Sequence, residues 1–312
     1  MAEGFYLASE NSELPQRMLS ATESVFTIFT NRQLHYRLFD TPEEAHDWYG
    51  LKMGPTGEDI FYMGWTQEEL DQLDLSEHGT DWARGHIHEL VEHISKGGTL
   101  PFETKMKGGA TATLISKEGH LITNHHLVSG IQQFHQLPDG KVVPEGLPVP
   151  HHSIKTSKGT DLGPIRLCYV DSSIDLAILK LETPPEIEAI QTRKKRVQRH
   201  ERIWHWGYPQ LSRRPVEQRQ FFGYPDAKYH LAYSVGLVLT DPQQSEWFTD
   251  ADSALGYSGC PVLDDTGCLV GLFWGGGAGG GLAASLSQDQ KYRYRRVVDI
   301  FDLKKQIPQF FS

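Results

Sequence analysis

Cysteine is scarce in this chain: three in 312 residues, Cys168, Cys260 and Cys268. So few, with no C-x-x-C pair, argue against a disulfide framework and against a zinc ribbon. Positive charge is also in deficit, since 30 Lys and Arg stand against 40 Asp and Glu, a formal net charge of −10. A protein of that sign has no general attraction for nucleic acid or an anionic membrane surface. No apolar run reaches the roughly 18–20 residues of a membrane helix. The opening MAEGFYLASENSELPQ has neither the basic region nor the apolar stretch of a secretory signal. These absences predict a reducing compartment, the cytoplasm, and no nucleic-acid or membrane partner.

What is present is a folding chain, 38% apolar and 22% charged, long enough for one large domain with an extension or for two domains. Its texture changes near residue 100. Before that point, Phe26–Phe29 and Leu34–Leu38 alternate like strands. Thr41-Pro42-Glu43-Glu44 and Thr66-Gln67-Glu68-Glu69 carry helix-start signals, with Thr at the cap and Glu three residues on. A third helix is predicted from near Thr80, its buried face formed by Ile87, Leu90, Val91 and Ile94 and its end at Gly97-Gly98. Residues 1–98 therefore read as an N-terminal accessory module, α+β or a helical extension. From 99 onward, short apolar runs alternate with Gly, Pro and Asp turns, among them 110–116, 120–123, 165–170, 176–181, 203–206, 232–240, 261–263 and 268–274. That pattern predicts a mainly β fold, a sandwich or barrels. The basic stretch Arg193–Arg196 reads as a solvated linker, and Val297, Val298, Ile300, Phe301 and Leu303 as part of a C-terminal helix over 293–306.

Three short segments carry chemistry. Gly256-Tyr257-Ser258-Gly259-Cys260-Pro261 sets a serine between glycines, where small neighbours admit a substrate carbonyl and a tight turn can aim successive N–H groups at one point. Serine needs a base to take its proton. Thr123-Asn124-His125-His126 offers a histidine at the end of an apolar strand, and Asp175 heads the apolar run Leu176–Leu181.

This set resembles the chymotrypsin-fold serine proteases, especially their HtrA-like branch. There T-x-x-H carries the base, D-[LI]-A-[LI]-[LI] the orienting acid and G-x-S-G-x-P the nucleophile, in the order His, Asp, Ser that also holds in chymotrypsin itself. The resemblance covers about 108–312. It implies two antiparallel six-stranded β-barrels, here about 99–192 and 200–290, with the site between them. It implies His126 as base, with His125 a structural neighbour turned the other way by strand alternation. Asp175 would orient His126, Ser258 would attack, and the N–H groups of Gly256 and Ser258 would form the oxyanion hole. Cys260 stands where many relatives have glycine, and Tyr257 replaces the aspartate of zymogen activation. Asp252, six residues before Ser258, matches the aspartate at the floor of trypsin's primary pocket, which implies cleavage after Arg or Lys; the alternative is an acidic loop residue beside Asp250, with the preference for small apolar side chains of HtrA-like enzymes, which have a small residue at that place. Gly275 would line the opposite wall.

Other motifs compete weakly. Gly275–Gly280 fits G-x-G-x-x-G but lacks a βαβ setting. His88 and His93 are five apart, so they do not share the helix face that zinc requires. His151-His152 reads as surface, and Trp204, Trp206 and Trp274 as core or cleft wall. The sequence thus predicts a serine endopeptidase without cofactor or metal, acting on protein or peptide substrates, with residues 1–98 gating the site or recruiting a regulatory partner. The alternative is a protease-like binding or scaffold protein with a silent site.

Overall fold

The structure, a computed structural model, describes residues 6–7, 14–53, 59–72, 87–128, 142–148, 152–208, 231–240, 246–253, 256–276 and 295–311. In chain order the elements are β1 (Tyr6–Leu7), α1 (Gln16–Thr22), β2 (Val25–Leu38), α2 (Pro42–Trp48), β3 (Gly50–Met53), β4 (Asp59–Trp65), α3 (Gln67–Asp71) and α4 (Ile87–Ser95). There follow β5 (Phe102–Leu114), β6 (His120–Thr123), β7 (Val142–Pro148), β8 (His152–Lys155), β9 (Ile165–Asp171), β10 (Leu176–Leu181), β11 (Arg202–Gly207) and β12 (Ala232–Leu237). The last are β13 (Glu246–Thr249), β14 (Pro261–Leu263), β15 (Leu269–Gly276), β16 (Arg295–Asp299) and α5 (Ile300–Gln306). They gather into two compact units, one of Met1–Phe29, Gly109–Ser129 and Gln136–Ser312, the other of Thr30–Gly108 and Gly130–His135. The division therefore falls after Phe29 and after Gly108, not at the expected 98/99.

The first unit is built on two curled antiparallel sheets. One runs β1-β12-β11-β14-β15-β16-β13; the other runs from β2 through β5, β6, β10 and β9 to β7, with β8 on β2. The predicted mainly β architecture is what forms. β10 shows why: its run LAILKL is buried at all but Lys180, because it is central, flanked by β6 and β9. The main core draws on both sheets and on the N-terminal segment. Leu14, Met18, Ala21 and Val25 pack with Ile178 and Leu272, among others. Those four N-terminal residues were expected in a separate module.

Two predictions need correction here. Val297 and Val298 belong to strand β16, not to a helix: Val297 pairs with Trp247 and Phe273, and Val298 with Leu272. β-branched side chains suit that pleated, enclosed position. The helix begins only at Ile300, where the Asp299 carboxylate accepts the Phe301 N–H at 2.8 Å as its cap. The basic stretch is not simply solvated either. Arg193 donates to both oxygens of Glu201 at 2.5 and 3.1 Å and lies 3.7 Å from Asp264, while Arg196 pairs with Asp302 and Asp299.

The second unit is α+β. β4 lies between β2, parallel through Gln33–Leu38, and antiparallel β3. Leu34, Tyr36, Met63, Trp65 and Leu90 form its core. Both threonine caps are in place: Thr41 Oγ1 accepts the Glu44 N–H, and Thr66 with Glu69 completes a reciprocal capping box. The two predicted strand segments at 26–38 are one 14-residue strand. α4 is described from Ile87 and ends as expected, with Gly97 and Gly98 donating to Ile94 and His93 carbonyls; its predicted start near Thr80 lies outside the described residues.

Candidate active site

Antiparallel pairing of β6 with β10 sets Thr123 opposite Ala177. Three residues beyond Thr123 comes His126, and two before Ala177 comes Asp175, so the register alone brings the two to the same end of the sheet. Neither lies in a strand. His126 sits in a 3-10 turn, His125–Leu127, and Asp175 follows another, Ser172–Ile174. It is therefore this turn, rather than strand alternation, that separates His125 from His126. Asp175 takes a left-handed backbone at φ 51°, ψ 47°, a conformation that Asp tolerates better than most residues. That conformation is locked from outside, since the Asp175 carbonyl accepts the His125 N–H at 3.0 Å and the Asn124 amide at 3.0 Å.

The Asp175 carboxylate then grips His126 twice. Oδ1 accepts the His126 backbone N–H at 2.8 Å, and Oδ2 lies 2.7 Å from Nδ1. A carboxylate at Nδ1 selects the tautomer in which Nδ1 carries the proton and Nε2 is the acceptor. The Asp175 side chain is 11% exposed and that of His126 39%, so the acid is enclosed while the imidazole opens to solvent. On the far side of the turn, the buried ring of His152 reaches the Leu127 carbonyl at 2.8 Å. His152 was expected at the surface; its place in β8 beneath this turn makes it part of the support. His151 lies outside the described residues.

Ser258 is carried on a turn closed by Cys260 N–H donating to the Tyr257 carbonyl at 2.8 Å. Gly256 has φ +93° and Gly259 φ +75°, values that favour glycine. At Gly259 a Cβ would also stand 2.3 Å from the Thr111 carbonyl and from Thr123 Oγ1. Both glycines thus suit their backbone conformation, and Gly259 is required by shape as well. The turn is fastened to β5 by one buried residue. Thr111 donates its N–H to the Ser258 carbonyl at 2.9 Å and its hydroxyl to the Gly256 carbonyl at 2.9 Å. Among the described residues the N–H groups of Gly256 and Ser258 have no hydrogen-bond partner.

Cys260 is fully buried, and burial pushes its thiol well above the usual range; a thiol so enclosed is inert. Tyr257 is buried with Val262 and Phe273 in the second core. Asp252 is partly exposed, its carbonyl accepting the Ser234 hydroxyl at 2.6 Å. Gly275 lies in β15 opposite Arg296, and the rest of the glycine run, from 277, lies outside the described residues. His93 stacks on Phe102 at 3.8 Å. Trp206 is core, and Trp204 donates to Asp265. Among the described residues no group of His, Cys, Asp and Glu is arranged to hold a metal.

A family model described as trypsin-like peptidase domain matches residues 110–272, just over half of the chain. The chain belongs to the trypsin-like peptidase family. Among solved structures, an HtrA-type protease, AlgW with a decapeptide, aligns with 94% of this chain and 65% of its own, at 15% identity and a TM-score of 0.50. A serine-to-alanine variant of AlgW, also with decapeptide, aligns at 16% identity, with 94% of this chain and 64% of its own, TM-score 0.50. The chain spans just under two thirds of those structures, and at such identity the likeness concerns the fold. No curated protein matches by sequence. What the structure adds to the motifs of this trypsin-like peptidase domain is support from Thr111, Asn124 and His152. Asn124 was within reach of sequence reasoning, being inside the T-x-x-H segment. Thr111 gave no signal beyond being a polar residue in an apolar run.

Proposed function

We propose that the chain hydrolyses peptide bonds with Ser258 as nucleophile. Ser258 Oγ attacks the carbonyl carbon of the substrate while its proton passes to His126 Nε2. The new oxyanion is met by the N–H groups of Gly256 and Ser258, which carry positive partial charge and need no rearrangement. Collapse breaks the C–N bond, and the proton on His126 goes to the departing amine. Water then repeats the sequence on the acyl ester and restores Ser258. Asp175 stays ionised throughout and stabilises the imidazolium that forms at each stage.

The double contact of Asp175 with His126, at 2.8 and 2.7 Å, is the observation that carries this reading. An enclosed carboxylate bonded to both the backbone and the ring of a half-open histidine fixes a base, whereas a surface ion pair would leave the imidazole free to turn. Peptide is the favoured substrate class, since the HtrA-type structures of like fold are described with a decapeptide. Cleavage after Arg or Lys, suggested by Asp252, meets an arginine in the same region, Arg295, which donates to the adjacent Ser253 and whose charged form the Asp252 carboxylate favours. The second unit is proposed to restrain the site or to recruit a partner, and the cytoplasm remains the proposed location.

A serine-directed fluorophosphonate tests the reading. The folded chain should take one label at Ser258 and lose it in Ser258→Ala. A folded chain that takes no label belongs instead to the binding or scaffold class.

A further inference from the structure

Arg295 opens β16, and backbone pairing sets it opposite Thr249 of β13 on one side and Gly276 of β15 on the other. Its Nε donates to Ser253 Oγ at 2.5 Å. One side chain therefore bridges the Asp252-Ser253 segment and the strand that carries Gly275, the two walls assigned to the primary pocket. Burial pulls the guanidinium below the usual arginine range, and the Asp252 carboxylate acts in the opposite sense, favouring the charged form. Arginine keeps its proton in proteins, so the two charges offset each other. Among the described residues, the neighbouring Arg296 and Asp250 are otherwise engaged. Arg296 is held by Glu246 and lies 3.4 Å from the Trp274 ring centroid. Asp250 accepts the Leu237 N–H at 2.7 Å. His205, fully buried behind the segment, is held neutral by burial first and by Arg295 second.

We propose that Arg295 is a specificity-determining residue: it supplies the counter-charge of Asp252 from within the chain and so closes the primary pocket to Arg and Lys side chains in favour of uncharged ones. This rests on the proposed peptidase reading and deepens it. A substrate cation entering here meets a guanidinium rather than a bare carboxylate. In a partly dry site that like-charge approach is unfavourable unless Arg295 is displaced.

The test uses the full chain and p-aminobenzamidine, an aryl amidinium whose planar fork imitates the arginine head, followed by its fluorescence. Wild type should bind it weakly. Arg295→Gln, which keeps a side-chain amide near Ser253, should bind at least about tenfold more tightly, a single strong charge contact. Adding Asp252→Ser should abolish the gain. Tight amidinium binding by wild type, or no gain in a folded Arg295→Gln, overturns the proposal. Should Arg295→Gln fail to fold, Asp252→Ser alone decides. It removes the Asp252 charge that favours charged Arg295, so an acidic probe, benzoate, should gain affinity, and an unchanged affinity overturns the assignment. Because these titrations need no turnover, they separate the two readings. A chain that labels with fluorophosphonate yet binds amidinium tightly as wild type keeps the activity and loses the pocket assignment. The reverse pattern keeps the pocket and loses the activity.

Discussion

Thr111 shows how much a single side chain can determine. It is fully buried, its hydroxyl donates to the Gly256 carbonyl and accepts the Tyr208 N–H at 3.2 Å, and its carbonyl accepts the Thr123 hydroxyl at 2.8 Å. Thr111→Val keeps the shape but strands two buried polar groups, at about 1–3 kcal/mol for each group left unsatisfied. It should lower both the unfolding free energy in urea and kcat, with KM less affected, because what loosens is the turn that aims Ser258. Asn124→Ala should act through Asp175 in the same way, releasing the carbonyl that its amide holds in the left-handed conformation. The expected result is a fall in kcat with fluorophosphonate labelling slowed but not abolished; an unchanged rate would show that His125 alone suffices. His205 gives a pH signature. Burial depresses its pKa from 6.5 to about 3, so the folded state keeps it neutral while the unfolded chain protonates it. Stability is then complete above about pH 6.5 and declines as pH falls toward 3, by an amount on the order of a few kcal/mol. Urea titrations at pH 7 and pH 4 should show a smaller difference in His205→Asn than in wild type.

At the scale of elements, local signals were readable and register was not. The caps at Thr41 and Thr66 form because their chemistry spans only three residues. The strands β6, β10 and β14 match their predicted limits, each bounded by turn residues. β2 was harder, since Thr30-Asn31-Arg32-Gln33 in its middle is polar and resembles a turn, yet the strand continues through it. Val297-Val298 fits a helix stripe as well as a strand, and only pairing with Phe273 and Leu272 decides. The segments carrying His126 and Asp175 were legible because each is short, whereas the meeting of these two residues depends on Thr123 pairing with Ala177. The bond between Arg295 and Ser253 joins positions 42 residues apart and had no local trace. Gly259→Ala puts this geometry to the test. With φ at +75° and no room for a Cβ beside Thr111 and Thr123, it should displace the turn and abolish probe labelling, even where circular dichroism shows the sheets intact.

At the scale of the molecule, the accessory region and the peptidase are not divided where composition changes. Leu14, Met18, Ala21 and Val25 belong to the main core, and Thr27 donates its hydroxyl to the Ala110 carbonyl at 3.3 Å. A 99–312 fragment therefore lacks four core side chains, and at about 2–5 kcal/mol for truncating each large one the loss rivals a typical domain's stability of about 5–15 kcal/mol. It should be insoluble or unfolded by calorimetry, and a fragment melting like the full chain would contradict the core assignment. Regulation by the second unit is better examined by replacing 30–108 with a short turn, which retains 14–29. The most direct measurement of the whole account remains the serine itself. The full chain and its Ser258→Ala variant should be compared for fluorophosphonate labelling and for cleavage of a peptide library. The account predicts covalent labelling at Ser258 and peptide hydrolysis in the first, and loss of both in the second with an unchanged melting temperature. Equal hydrolysis by the two proteins, or a folded wild type that takes no label, would contradict it.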